Sequence, residues 1–111
     1  MHPPVAEITP AEAHRRALAG EVLLLDVREN DEWAAGRAAE AVHVALSRLD
    51  PSTVPGELPV VAVCRVGSRS QLAAVALVAR GIQAANMTGG MKAWAAAGLP
   101  VISDSGAGEI V

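Results

Sequence analysis

Apolar positions along the chain fall into short unbroken blocks, separated by segments with helical spacing. The blocks "EVLLLDV" (21–27) and "VVAVC" (60–64) are continuous rather than alternating, which predicts strands covered on both faces. "IQAANM" (82–87) predicts a weaker strand and Val42 to Val44 a brief one. A first helix opens at Thr9-Pro10-Ala11-Glu12, where Thr9 can cap, Pro10 suits the first turn and Glu12 completes a capping box. It stops near Gly20. "NDEWAAG" (30–36) predicts a short helix capped by Asn30 or Asp31 and ended by Gly36. Leu46 to Asp50 reads as a helical turn, and "PSTVPGELP" (51–59) as a turn-rich surface crossing. Ser68 to Arg80 predicts a helix ended by Gly81, and "GMKAWAAAG" (90–98) one closed by Gly98. The closing "SDSGAGEIV" (103–111) reads as a mobile tail.

Short buried strands alternating with helices imply a doubly wound α/β fold with a parallel sheet. Such sheets gather functional groups outside the carboxyl ends of their strands. Asp26 and Cys64 both fall at that edge.

Composition narrows the picture. A chain of 111 residues, 51% hydrophobic, suits one domain with a single core. There is no Phe or Tyr, so Leu, Val and Ala must fill that core, with Trp33 and Trp94 as anchors. The formal net charge of −3 argues against a nucleic-acid partner. The longest apolar run, Leu72 to Ala79, is too short to cross a bilayer, and the N-terminal stretch lacks the apolar core of a secretory signal. The expectation is a soluble, cytoplasmic protein without a membrane partner. A single cysteine excludes an internal disulfide, and no Cys/His cluster has metal-ligand spacing.

That cysteine opens the stretch "CRVGSRS" (64–70), between a strand and a helix. A thiol is a nucleophile only as thiolate. The helix beginning at Ser68 to Ser70 would turn its positive end and unpaired N–H groups toward Cys64, and Arg65 and Arg69 would add positive charge. Gly67 permits a tight loop of successive amides, a nest for an anion carried on sulfur. Such a cradle suits a persulfide or a thiophosphate. The competing reading is an inert core thiol.

Taken together, "LLLDVRENDEWAAGRAAEAVHVAL" (23–46), the cysteine loop and "TGGMKAWAAAGLPV" (88–101) resemble the single-domain rhodanese-like sulfurtransferases. The resemblance covers residues 8–102, leaving 1–7 as an extension and 103–111 as the tail. It implies a central parallel sheet of about five strands with helices on both faces. It also implies that Cys64 takes sulfur from a small donor such as thiosulfate and passes it to cyanide, a small thiol or a protein thiol, without a cofactor. The amides of Arg65, Val66, Gly67, Ser68, Arg69 and Ser70 would hold the outer sulfur, and Arg69 would attract anionic donors. Arg28 and Glu32 would pair near the mouth, while Asp26 would hold loop amides or meet Arg28.

Two other readings stay open. One is a binding or sulfur-relay module on the same fold. The other is a phosphatase or arsenate reductase, whose loops resemble C-x5-R, whereas Cys64 and Arg69 form C-x4-R. The chain also departs from the family pattern. Gly36-Arg37-Ala38-Ala39-Glu40-Ala41 stands where G-H-I-x-G-A is common, and Ala45 replaces a usual proline, so Arg37 and Glu40 leave substrate preference and local loop geometry open. His43 reads as a structural histidine, His2 and His14 as surface residues, and Lys92 as a solvated charge near the rim.

Overall fold

The two continuous apolar blocks form the middle of the sheet in a computed structural model that describes residues 5–111. Strands β2 (Leu23–Asp26) and β4 (Val60–Val63) run parallel, Leu23 level with Val60 and Asp26 with Val63. All of β4 is buried, which accounts for its unbroken apolar sequence. Strand β5 (Ala84–Met87) lies on the other side of β4, β3 (Val42–His43) lies beyond β2, and β1 (Ala6–Ile8) adds to β5. The order is β1-β5-β4-β2-β3, with every pairing parallel.

The pleat of the strands sorts side chains into two layers. Leu24, Val61 and Val63 pack with Ala13 of α1 (Pro10–Leu18) and with Met91 and Trp94 of α4 (Gly90–Ala96). Leu25, Val27, Val60, Ala62 and Cys64 pack instead against Ala73, Ala74 and Leu77 of α3 (Ser68–Ala79). Helices therefore cover both faces. Small residues on α3 let that helix lie close to the sheet, and Leu77 fills the space beneath it.

Several expectations change in the folded chain. Strand β1 was not foreseen: its three residues, Ala-Glu-Ile, form an edge strand mostly open to solvent and carry no apolar block. Thr9 caps α1 through the Glu12 N–H at 3.3 Å, but the Glu12 carboxylate turns to Arg15 and Arg16, so only half of the capping box forms. Helix α2 (Asn30–Ala35) begins after Glu29, which takes the cap position expected of Asn30 or Asp31. Gly36 ends it in extended conformation; a glycine is needed because a Cβ would lie 2.6 Å from the Glu109 nitrogen.

That crowding comes from the C-terminal segment, which lies against the end of α2. Strands β6 (Ile102–Ser103) and β7 (Gly106–Ala107) form an antiparallel hairpin. Arg37 and Ile102 exchange both main-chain hydrogen bonds at 2.9 Å, the Glu109 N–H reaches the Ala35 carbonyl at 2.9 Å, and Ile110 packs on the core. These bonds tie the tail to the end of α2, a pairing that composition alone did not reveal.

Only Trp94 is a core anchor; it is buried, and its indole N–H donates to the Pro100 carbonyl at 2.8 Å. Trp33 is half-buried instead, stacked on His43 at 4.8 Å and covered by the Arg37 guanidinium. His14 meets the edge of Trp94 and lies 3.6 Å from Glu40, so it is a packed residue rather than a free surface one. His2 lies outside the described residues. Among the described residues no helix is long and apolar enough to cross a membrane.

Candidate active site

Cys64 is the first residue past β4, and the chain turns sharply there into α3. The turn needs Gly67, whose φ of 109° is a left-handed value that side chains disfavour. Gly67 is also the N-cap of α3, with no side-chain oxygen to occupy the amides of the first turn. The Cys64 sulfur accepts the Gly67 N–H at 3.0 Å and contacts the Ser70 hydroxyl at 3.2 Å. Burial alone pushes the thiol up. Hydrogen bonds from the Ser70 hydroxyl and from the Ser70, Gly67 and Val66 amides outweigh that, holding the thiol below its ordinary range. The cysteine has no exposed surface, whereas Val66 and Ser68 stand out at the rim.

The loop is fastened from behind by α4. The Met91 N–H donates to the Cys64 carbonyl at 2.8 Å and the Lys92 N–H to the Arg65 carbonyl at 3.0 Å. These are unpaired amides of a helix start, used here as clamps. Contact this close requires Gly90, since a Cβ there would lie 2.5 Å from both carbonyl oxygens. The Lys92 side chain itself is exposed.

Behind the sulfur lies a residue that reading the sequence missed. Asn86 of β5, 4% exposed, donates from Nδ2 to the Gly67 carbonyl at 2.9 Å, and its Oδ1 lies 2.6 Å from Ser70 Oγ. The available signal was a lone amide within the apolar stretch "AANM".

The charged residues are arranged differently from expectation. Arg28 does not pair with the Glu32 carboxylate. It turns back two residues to Asp26, Nη2 to Oδ2 at 2.8 Å, both side chains wholly buried, and spends its remaining donors on the main-chain oxygens of Gly36 and Glu32. Asp26 also accepts the Arg28 N–H at 3.1 Å, while His43 closes on the Arg28 carbonyl at 2.7 Å. Alternation along β2 turns Asp26 to the α1–α4 side of the sheet, opposite to Cys64.

Glu32 instead takes Arg69, at 2.7 and 2.8 Å, and the Glu29 N–H at 2.9 Å. The Arg69 bond, partly opposed by burial, holds the Glu32 carboxyl down to about 2, and the Arg69 guanidinium is raised in return. Arg65 points its Nε to the Val111 carbonyl at 3.0 Å. Neither guanidinium reaches the sulfur as a hydrogen-bond donor; amides and a hydroxyl do that instead. Arg37 pairs with Asp104 and Glu40 meets His14, so the partners of both lie outside the cysteine loop.

The family model for the rhodanese-like domain matches residues 9–97. The chain belongs to the rhodanese-like family. A sulfurtransferase of Allochromatium vinosum is 34% identical over 97 residues, covering 85% of this chain and 91% of that relative. The HTH-type transcriptional regulator Rv0324 of Mycobacterium tuberculosis is 38% identical over 109 residues. That match covers 94% of this rhodanese-like chain but 47% of the regulator, so the chain spans about half of that relative's length. Among solved structures, the rhodanese-related protein of Thermoplasma volcanium superposes with a TM-score of 0.80 at 25% identity, covering 87% of this chain and 97% of the other.

Proposed function

We propose that the chain is a sulfurtransferase that carries sulfane sulfur on Cys64 as a persulfide. The observation that carries this reading is the sulfur's own environment: a hydroxyl and a ring of amides favour the anion despite burial. In the first half-reaction the Cys64 thiolate attacks the outer sulfur of a donor such as thiosulfate. A bond from Sγ to that sulfur forms, the donor's sulfur–sulfur bond breaks, and sulfite leaves with the electron pair. In the second, an acceptor such as cyanide or a thiolate attacks the outer sulfur, and Sγ departs as thiolate. The outer sulfur would sit among the amides of Arg65 to Ser70, preorganised by the clamp from α4. Asp26 and Arg28 support the edge of the sheet from behind.

Phosphoryl transfer fits less well. Both terminal nitrogens of Arg69 are taken by Glu32, and the C-x4-R loop is short for a tetrahedral oxyanion. A sulfur-relay module is the second reading, favoured by one observation: Cys64 has no exposed surface, so a donor or partner reaches the thiol only after the residues around it move.

Mass spectrometry after thiosulfate treatment tests the proposal. One added sulfur atom is expected, removed by cyanide and absent in Cys64→Ser. A thiol left unmodified by thiosulfate and by small persulfides would end it. Loading without turnover to cyanide or small thiols would favour the relay.

A further inference from the structure

Ser70 has one proton and two buried acceptors competing for it. Its Oγ lies 2.6 Å from Asn86 Oδ1 and 3.2 Å from the Cys64 sulfur, and Ser70 is wholly buried. A hydroxyl donates once. The orientation of Asn86 is settled by its other end, because Nδ2 donates to the Gly67 carbonyl at 2.9 Å. Flipping the amide would set oxygen against oxygen there. The atom facing Ser70 is therefore an acceptor, and the shorter contact takes the hydrogen. In the neutral thiol, S–H then donates to Ser70 Oγ, giving the chain S–H···O–H···O=C. The thiolate needs the reverse, with the hydroxyl turned onto sulfur and the buried Asn86 oxygen losing its donor.

We propose that Asn86 is a positioning residue that competes with the Cys64 sulfur for the Ser70 proton, so that the hydroxyl swings between the two acceptors through the sulfur-transfer cycle. In the thiol the hydroxyl rests on Asn86. In the thiolate it turns to Sγ. Once an outer sulfur is attached, Sγ is neutral and the negative charge sits one atom further out, so the hydroxyl returns to Asn86. When an acceptor attacks and Sγ departs with the electron pair, it swings back onto the forming thiolate. The hydrogen stays bonded to Ser70 throughout, so sulfur transfer itself moves no proton; only the prior ionisation of the Cys64 thiol releases one, its own S–H proton, to solvent. Asn86 can be a fixed partner because its Nδ2 holds Gly67, the hinge of the same loop. Other charge around the sulfur is limited: Arg69 on α3 is matched by Glu32 of α2, Arg65 is turned to Val111, Lys92 is exposed, and Asn86, Gly90 and Met91 are uncharged.

The cyclic part rests on the persulfide reading, but the competition itself does not. The test is accordingly made on reduced protein without donor, following thiolate ultraviolet absorbance against pH. Ser70→Ala should move the midpoint to higher pH. Asn86→Ala should move it to lower pH when Ser70 is present and leave it unmoved in the Ser70→Ala background. A midpoint that rises with Asn86→Ala, or shifts equally in both backgrounds, overturns the proposal. Should Asn86→Ala fail to fold, Ser70→Ala carries the test alone through single-turnover kinetics. Cyanide should discharge its persulfide about tenfold more slowly, because the departing thiolate lacks its donor. An unchanged rate there also overturns the proposal.

Discussion

Glu32 grips Arg69 with both carboxylate oxygens, so the one guanidinium at the start of α3 is neutralised before any substrate arrives. An incoming anion must compete with Glu32 for it. Glu32→Gln should lower the KM for thiosulfate roughly threefold to tenfold at low salt, with the gain fading as salt screens it. Steady-state kinetics over a salt series checks this. An unchanged KM would mean that the donor never meets Arg69.

The same pair makes an acid-dependent contribution to stability. Glu32 ionises at about 2 in the folded chain, below its ordinary 4.5, so its contribution is complete above about 4.5 and vanishes as pH falls toward 2. Urea unfolding should show wild type more stable than Glu32→Gln by about 1–2 kcal/mol at neutral pH, with the gap closing through that window. A gap independent of pH would assign the effect to packing.

Arg69→Ala should be worse for the fold than Glu32→Gln, because it leaves the Glu32 carboxylate half-enclosed without its cation. Adding Glu32→Gln to Arg69→Ala should restore part of the loss. Additive losses in this double-mutant cycle would show the two side chains to be independent.

Asp26 and Arg28 are buried more deeply, and breaking one half of that pair should cost more. Arg28→Met strands a buried carboxylate and unpairs the Gly36 carbonyl, a loss of about 3–5 kcal/mol by denaturant titration. Asp26→Leu combined with Arg28→Met should recover much of it. A single variant near wild-type stability would show that the carboxylate finds another partner.

Gly90→Ala should be far more damaging than Gly98→Ala. Both glycines have positive φ, 61° and 77°, so both substitutions strain the backbone by about 1–2 kcal/mol. Only at Gly90 does the new Cβ collide with the carbonyls of Cys64 and Arg65, whereas Gly98 faces open space. Thermal unfolding should separate the two variants, and at Gly90 loss of persulfide loading should accompany loss of stability.

What was legible in the sequence follows from these contacts. Strands β2 and β4 were legible because burial on both faces demands an unbroken apolar run, and the cysteine loop because Gly67 and the helix start are local features. Strand β1 and the C-terminal hairpin were not, since both depend on partners far along the chain: Ile8 beside Met87, Arg37 beside Ile102. Charged pairs were the least legible. Spacing put Arg28 within reach of either Asp26 or Glu32, and only the packing of α2 against the loop decided that Glu32 would go to Arg69. Asn86 was hidden for the opposite reason: a single amide in a weak strand has no pattern to stand out from.

The alternating placement of side chains along β4 makes the location of the thiol a matter of parity. Inserting or deleting one residue within that strand would carry the sulfur through the sheet to the Trp94 side, away from every donor that now surrounds it. A two-residue change would restore the side but displace the sulfur by about 7 Å along the strand axis. Loop segments such as 51–59 can vary in length at little cost to the chemistry, whereas the four residues before Cys64 set its position as a ruler would.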